Sequence, residues 1–461
     1  MAVRIIVKNR EKLLEDEEGD KRSLLLDLVE LAISVSDPRD AIRKSVKLND
    51  ECLTVFSERI PLRNVENIYV VGAGKASGAM AEALEEILGE LIVDGAVCIQ
   101  KGTSNMFSTR FIRLFEAAHP VPSEENIRGA EAVVGLLEEA GKDDLVICLI
   151  SGGGSAMLTL PADGVELQDI QEVTAALLKS GADIGKINVV RRHLSKVKGG
   201  LLAKMAYPAR VISLIVSDVV GDRLEDVASG PTAPDPTTFS DAINVLKTYG
   251  VWDKCGSRVR ERLIRGAEGG VEETLKPGDP VFKRVQNILV ATNRGACTAV
   301  ANEANKRGVH SLILTTHMEG EAREVGCLAA GIIKSVALNQ EPLQRPALIV
   351  MGGETTVTIS ENAGIGGRNQ ELALSAALKI SGLKNVFVVS FGTDGLDGVS
   401  YAAGALVDGK TVEKGEKHGI RAEDYLRRHD ATSFFEKIND GLIITGPTGT
   451  NVNDILMLAT L

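Results

Sequence analysis

Ile68–Tyr69–Val70–Val71–Gly72–Ala73–Gly74–Lys75 is the stretch on which the fold is read. A short apolar run rich in β-branched residues stops at glycine, and helical periodicity takes over from Lys75 to Leu88. An apolar strand without polar alternation suits a sheet covered on both faces, which in practice means a parallel sheet between helices. The unit recurs along the chain. Leu145–Ile150 runs into Ser151–Gly152–Gly153–Gly154–Ser155, Val211–Val216 into Ser217–Asp218, and Ala347–Val350 into Met351–Gly352–Gly353–Glu354–Thr355. Val386–Val389 leads to Gly392–Thr393–Asp394–Gly395–Leu396–Asp397–Gly398. Further strands are expected at Ala96–Ile99, Phe111–Ala117, Ile288–Ala291, Leu312–Leu314 and Leu442–Ile444. Helices are expected at Glu124–Glu139, Leu167–Lys179, Arg294–Lys306, Glu321–Ser335 and Gln370–Ile380, and helical pattern also covers Lys21 to about Leu48, with Asp37–Pro38 opening a second helix.

This alternation predicts βαβ units. The fold class is α/β, with two three-layer (αβα) Rossmann-like domains and mainly parallel sheets; strand order stays open. A length of 461 residues exceeds one ordinary core. Pro231, Pro234 and Pro236 lie in a Gly/Ser/Thr/Asp-rich stretch, Ser229–Ser240, which reads as the boundary. The expected domains are residues 1–238 and 239–461, with the charged segment 1–20 peripheral.

Hydrophobic residues make up 44% and charged residues 25%, which excludes wholesale disorder, and aromatics at 3% leave the core to Val, Ile, Leu and Ala. A net charge of −11 argues against a nucleic-acid footprint. None of the six cysteines forms a CxxC pair, so reduced thiols are expected. Ile5–Ile6–Val7 is followed at once by Lys8 and Arg10, which does not read as a leader, and no apolar run approaches the ~20 residues of a membrane span. The expectation is a cytoplasmic protein without membrane or nucleic-acid partners; a homodimer is an admissible assembly.

In open parallel sheets ligands bind outside the carboxyl ends of the strands. Glycines there let backbone N–H groups face an anion, and several such loops together suit a phosphate-rich ligand. Gly72, Gly74, Ser151, Gly152, Gly153, Gly154, Ser155, Gly353 and Glu354 are therefore candidates for nucleotide contact. Gly72–Ala73–Gly74–Lys75–Ala76–Ser77–Gly78 has two glycines of a dinucleotide fingerprint and Asp94 at the right distance, but its third glycine comes one residue late. Lys75 is better read as a cation for substrate or phosphate. Phosphoryl transfer also needs carboxylates for Mg²⁺ and for the attacking hydroxyl. Asp218 and Asp394, which directly follow strands, are the candidates; Asp222 and Asp397 read equally well as turn formers. Arg368 sits in the first turn of a helix, the unfavourable end for a cation, which makes sense if it binds an anion. His119 reads as a loop histidine, and no histidine spacing suggests zinc.

At these loops the sequence resembles the class II glycerate kinases, the glycerate 2-kinase family whose C-terminal part is the MOFRL domain. The matching stretches are Val70–Ser77, Ala117–Pro122, Leu149–Leu158, Asn188–Gly200, Ser213–Asp226 with Ser229–Pro231, Gly352–Thr356, Gly366–Ala373, Gly392–Gly398 and Gly446–Asp454. The resemblance runs from about Lys21 to the end. It implies an active site in an interdomain cleft, using ATP and Mg²⁺ to convert D-glycerate into 2-phosphoglycerate. It places the family's active-site Lys and Arg at Lys75 and Arg368. Relatives labelled hydroxypyruvate reductase leave an NAD(P)H-dependent reductase as one alternative; a non-catalytic sugar-acid or phosphosugar binder is the other.

Overall fold

The computed structural model describes residues 6–15, 17–359 and 363–461. Ile5, quoted above, lies outside the described residues. The chain forms two compact units, Pro38–Val290 and a second built from residues 1–37 together with Ala291–Leu461.

The first unit holds a six-stranded sheet of β1 (Ile68–Ala73), β2 (Ile92–Gln100), β3 (Ile112–Ala117), β4 (Leu145–Ser151), β5 (Arg210–Val216) and β6 (Val285–Ala291). Their spatial order is β3-β2-β1-β4-β5-β6, and the four pairings from β3 to β5 are all parallel. β1 and β4 are buried along their whole length, as their unbroken apolar sequences require. The helix Glu124–Glu139 matches its expected bounds and turns Ala130, Val133 and Leu137 onto this sheet. A small antiparallel meander, Val46–Leu48, Cys52–Val55 and Glu58–Pro61, occupies part of the stretch read as helix.

The second unit carries β7 (His310–Met318), β8 (Ala347–Gly353), β9 (Val386–Gly392), β10 (Gly404–Asp408), β11 (Leu442–Ile443) and β12 (Asp454–Thr460). Their order is β7-β8-β12-β9-β10-β11. Here the expectation of a mainly parallel sheet fails. Only β7 and β8 run parallel; the last strand inserts antiparallel between β8 and β9, and β10 and β11 continue antiparallel. β12 was not foreseen because Ile455–Leu456–Met457–Leu458–Ala459 is poor in β-branched residues and carries no strand signal beyond being apolar.

The domain bounds also need correction. The helix Gly19–Val35 packs on the helix Asn293–Lys306, and its Arg22, 1% exposed, pairs with Asp408 at 2.5 Å and Asp440 at 2.9 Å. Asn9 bonds both sides of β11, donating to Leu442 O and accepting from Ile444 N. The N-terminal segment is thus part of the second unit, not peripheral to the first. The Pro-rich stretch is not a linker either. Asp235 within it is fully buried, 3.1 Å from Arg192 Nε and accepting from Thr274 Oγ1 at 2.9 Å. Proline there shapes a buried loop.

Candidate active site

The strand order of the first unit reverses between β1 and β4, and in open α/β sheets the ligand crevice opens at that switch point. The two loops there are Gly74–Ser77 and Ser151–Ser155. Close approach accounts for most of their glycines. A Cβ on Gly72 would lie 2.2 Å from Leu149 O, one on Gly74 2.1 Å from Ser151 Oγ, and one on Gly152 1.8 Å from Asp218 Oδ2. Ser151 is engaged inside the protein, accepting from Ala76 N at 3.0 Å beside Ser77 Oγ at 3.1 Å. Ser155 Oγ lies 2.8 Å from Ser229 Oγ, which donates to Asn188 at 3.0 Å. Gly152→Ala is expected to destabilise the protein by about 1–3 kcal/mol, because Asp218 must leave its place; a thermal melt matching the parent would contradict this packing.

Gly153 is different. It turns the chain at φ +80°, and its Cα faces Lys75 and His119, whose Cγ and Cδ2 would stand 3.2 Å and 3.3 Å from an added Cβ. The Lys75 amide donates to Gly152 O at 2.9 Å, so its backbone is tied down while its side chain is exposed. Beside this loop lies a cavity of about 20 Å³ whose walls include Ser155, Thr159, Arg191, Ser195 and Lys198. Lys198 is 3% exposed and donates to Leu158 O at 2.7 Å. Arg191 has no ion pair or side-chain hydrogen bond among the described residues, unlike its neighbour Arg192, which lies beside Asp226 and Asp235.

The electrostatics agree with the geometry. Burial, then Arg191, push the Lys198 amine down to about 7. Burial lowers Arg191 as well. His119 is pushed down to about 4 by burial and then by Lys75 and Arg191, so it is neutral at pH 7. Burial raises Asp218 above the ordinary carboxylate range, with Lys75 pulling the other way. Three basic side chains therefore gather with one carboxyl that resists ionisation. Such a cluster is short of an anion. The sequence singled out Lys75 and Asp218 and read His119 as a loop histidine; Arg191 and Lys198 lie in the matching stretch Asn188–Gly200 without being singled out, and only the fold brings them to the loop.

The geometry weighs against a nicotinamide fingerprint. Asp94 pairs in register with Tyr69 near the start of β1, the end of the sheet opposite the glycine loop, and forms an ion pair with Arg113 at 3.0 Å. A ribose-binding acid belongs at the carboxyl end.

In the second unit, Arg368 opens the helix Arg368–Ile380. Its anion is supplied by the protein. Asp454 binds it through Nε at 2.5 Å and Nη2 at 3.0 Å, and Glu354 through Nη1 at 2.8 Å. Asp454 was not anticipated. Because β12 runs antiparallel, its first residue pairs with Gly353 and Gly392, the last residues of β8 and β9, and so joins their carboxyl ends. Asp394 Oδ1 accepts from Leu396 N at 3.2 Å and would meet a Cβ on Gly392 at 3.0 Å. Asp397, fully buried, does more than form a turn. Its carboxylate accepts from Asn369 N and Gln370 N at 3.0 Å and 2.9 Å and caps the Arg368 helix. Burial nonetheless pushes it up to about 6. Glu354, Asp397 and Asp454 thus surround one arginine, with Asp394 and Asp454 both flanking Gly392. Among the described residues no three His, Cys, Asp or Glu side chains are placed to hold a metal by themselves.

Comparison with known proteins decides the family. Residues 24–264 match the "Domain of unknown function (DUF4147)" and residues 347–454 the "MOFRL family". The chain is 44% identical to the glycerate 2-kinase of Pyrococcus horikoshii, over 95% of this chain and 97% of that one. This chain belongs to the class II glycerate kinase family. It is 42% identical to the D-glycerate 2-kinase of Thermotoga maritima, over 87% of this chain and 92% of that relative. A crystal structure of a Thermotoga maritima glycerate kinase superposes with a TM-score of 0.85 at 38% identity, covering 96% of this chain and all of that one. The matched segments contain the two side-chain clusters described above, one at the β1/β4 switch point and one around Arg368. No helix among the described residues is long and apolar enough to cross a membrane.

Proposed function

We infer that the protein is a glycerate 2-kinase, transferring the γ-phosphoryl group of ATP to the 2-hydroxyl of D-glycerate. The observation that carries this is 44% identity along almost the whole length of a glycerate 2-kinase. An anion-deficient cluster at the sheet's switch point is what a small carboxylate acceptor and a phosphate donor require.

The roles proposed for this chain's residues follow their surroundings. Lys75, exposed beside Gly153, neutralises charge on the phosphoryl group in flight. Asp218, half-buried against Gly152 and raised in pKa, takes the proton of the attacking hydroxyl as oxygen bonds to phosphorus and ADP leaves. Gly72, Gly74 and the Ser151–Ser155 loop shape the surroundings of the nucleotide in the first unit. Arg368 holds the carboxylates of Glu354 and Asp454 in place. Mg²⁺ fits this donor set, since it is usually bound by one or two carboxylates plus substrate phosphates rather than by an all-protein cage. Asp218 or Asp394 would supply the carboxylate, and the ion would offset phosphate charge. Dependence on ATP and cysteines without disulfide partners support a cytoplasmic place of action.

Two experiments test this reading. Incubation with D-glycerate, ATP and Mg²⁺ is expected to give ADP and 2-phosphoglycerate, resolved from the 3-phosphate by phosphorus NMR. Glycerate-independent ADP release, or the 3-phosphate alone, would refute it. The second concerns pH. Lys198, whose buried amine has Arg191 and Cys98 as its charged or titratable neighbours, is protonated below about 7 and neutral above it. KM for glycerate is therefore expected to rise as pH climbs through the neutral range, and Lys198→Met should flatten that rise. Folding stability runs the opposite way. Between about 7 and 10.5 the unfolded amine holds a proton that the folded one has lost, so the contribution of Lys198 to stability improves as pH rises through that window.

A further inference from the structure

We propose that Arg191, backed by Lys198, is the residue that takes the carboxylate of the acceptor and thereby sets specificity for a 2-hydroxy acid over a neutral polyol. This rests on the reading of the protein as a glycerate kinase and adds a residue that neither the motifs nor the family resemblance singled out.

Four observations converge on it. First, the guanidinium of Arg191 is without a partner among the described residues, on the wall of a cavity, while the next residue, Arg192, is fully committed to Asp226, Asp235 and Glu225 O. Arg191 is half-buried, and a partly desolvated arginine with no counterion favours taking up an anion. Second, Lys198 shares the cavity wall with its ammonium buried and bound to a backbone carbonyl, so two cations face one space with no carboxylate lining it. Third, the cavity holds about 20 Å³, far too little for a triphosphate, so only the end of a small ligand can reach Arg191 there. Ser155, Thr159 and Ser195 line the same space, their hydroxyls held by Ser229, Ala156 O and Leu160 O. The planar fork of arginine matches the two oxygens of a carboxylate. Fourth, Ser155 joins this cavity to the loop on which Gly153 sits beside Lys75 and His119, and Arg191 is close enough to His119 to depress its pKa. A carboxylate held at Arg191 leaves the adjacent C2 carbon, and its hydroxyl, pointing out of the cavity toward the Lys75 side.

The test compares three substrates on the full chain: glycerate, ATP, and glycerol as an acceptor lacking the carboxylate. For Arg191→Gln, kcat/KM for glycerate is expected to fall about 10²-fold or more. KM for ATP should stay within about threefold and turnover of glycerol should be unchanged, so the preference for glycerate collapses. Arg191→Lys should restore part of the glycerate activity by returning a charge without the fork. The inference is overturned if Arg191→Gln raises KM for ATP and spares glycerate, which would make the cavity a phosphate subsite. It is equally overturned if both acceptors lose activity together, which would make the residue structural. Should Arg191→Gln fail to fold, the decision passes to Arg191→Lys, for which a glycerate KM equal to the parent's would refute the role of the fork. A parent enzyme that makes no ADP in response to glycerate defeats the kinase reading itself. An active parent with an indifferent Arg191→Gln defeats this inference alone.

Discussion

Lys75→Ala is expected to lower kcat/KM for glycerate about 10²-fold or more while moving Tm by no more than one or two degrees. The two halves of that expectation come from separate facts. The side chain is exposed, and what the fold uses from this residue is its backbone, the amide donating to Gly152 O at 2.9 Å, which alanine keeps. The side chain, by contrast, passes beside Gly153 where β1 and β4 part, and of Lys75, Arg191 and Lys198 it alone is exposed. Losing a charge that acts on developing phosphoryl charge removes transition-state stabilisation and little else. Steady-state kinetics with a thermal melt on the same sample checks both halves. Parent-like kcat/KM would remove Lys75 from the site, and a large drop in Tm would show that the lysine serves the fold.

Arg368→Ala should behave differently, losing stability as well as activity. Its guanidinium satisfies Asp454, whose side chain is 1% exposed, and Glu354 at the surface. Removal leaves a buried carboxylate unpaired next to the carboxylate of Asp397, a change that typically costs about 3–5 kcal/mol when the pair is fully buried. Arg368 is 30% exposed, so water reaches the vacated space and a loss of about 2–3 kcal/mol is the better expectation. Calorimetry should show Tm lower by roughly 4–12 °C. Adding Asp454→Asn should recover part of the loss, because the orphaned charge is then gone. A melt unchanged from the parent in the single variant would mean that the ion pair carries no load. The comparison also separates two arginine functions that sequence could not distinguish. Arg368, expected to bind a ligand anion because it opens a helix, is paired by Asp454 and Glu354, whereas Arg191 has no partner among the described residues.

Much of the architecture was legible because its signals are local. The apolar runs at β1, β4 and β5 and the periodicity of Glu124–Glu139 and Leu167–Lys179 follow from backbone burial and helical spacing, and the structure places them within a residue or two. The failures share a cause. β12 is apolar but poor in β-branched residues, and it becomes a strand because β8 and β9 leave a gap between them that its backbone fills. The Ser229–Ser240 stretch has linker composition yet is buried from Ser229 to Ala233 and at Asp235, which Arg192 and Thr274 draw inward. Helix Gly19–Val35 reads as part of its sequence neighbourhood and instead joins the other unit through Arg22, Asp408 and Asp440.

By itself the sequence determined the α/β class, the glycine-ended strands, the family, and Lys75 and Asp218 as residues of interest. These depend on short-range pattern and on motifs contiguous in the chain. Tertiary structure alone decided the strand order that puts β1 beside β4, and the antiparallel entry of β12 that carries Asp454 to Arg368. It also decided the meeting of Arg191 and Lys198 at one small cavity. Those facts depend on which distant segments share a core and on which charges burial leaves without partners, quantities that no local window of residues contains.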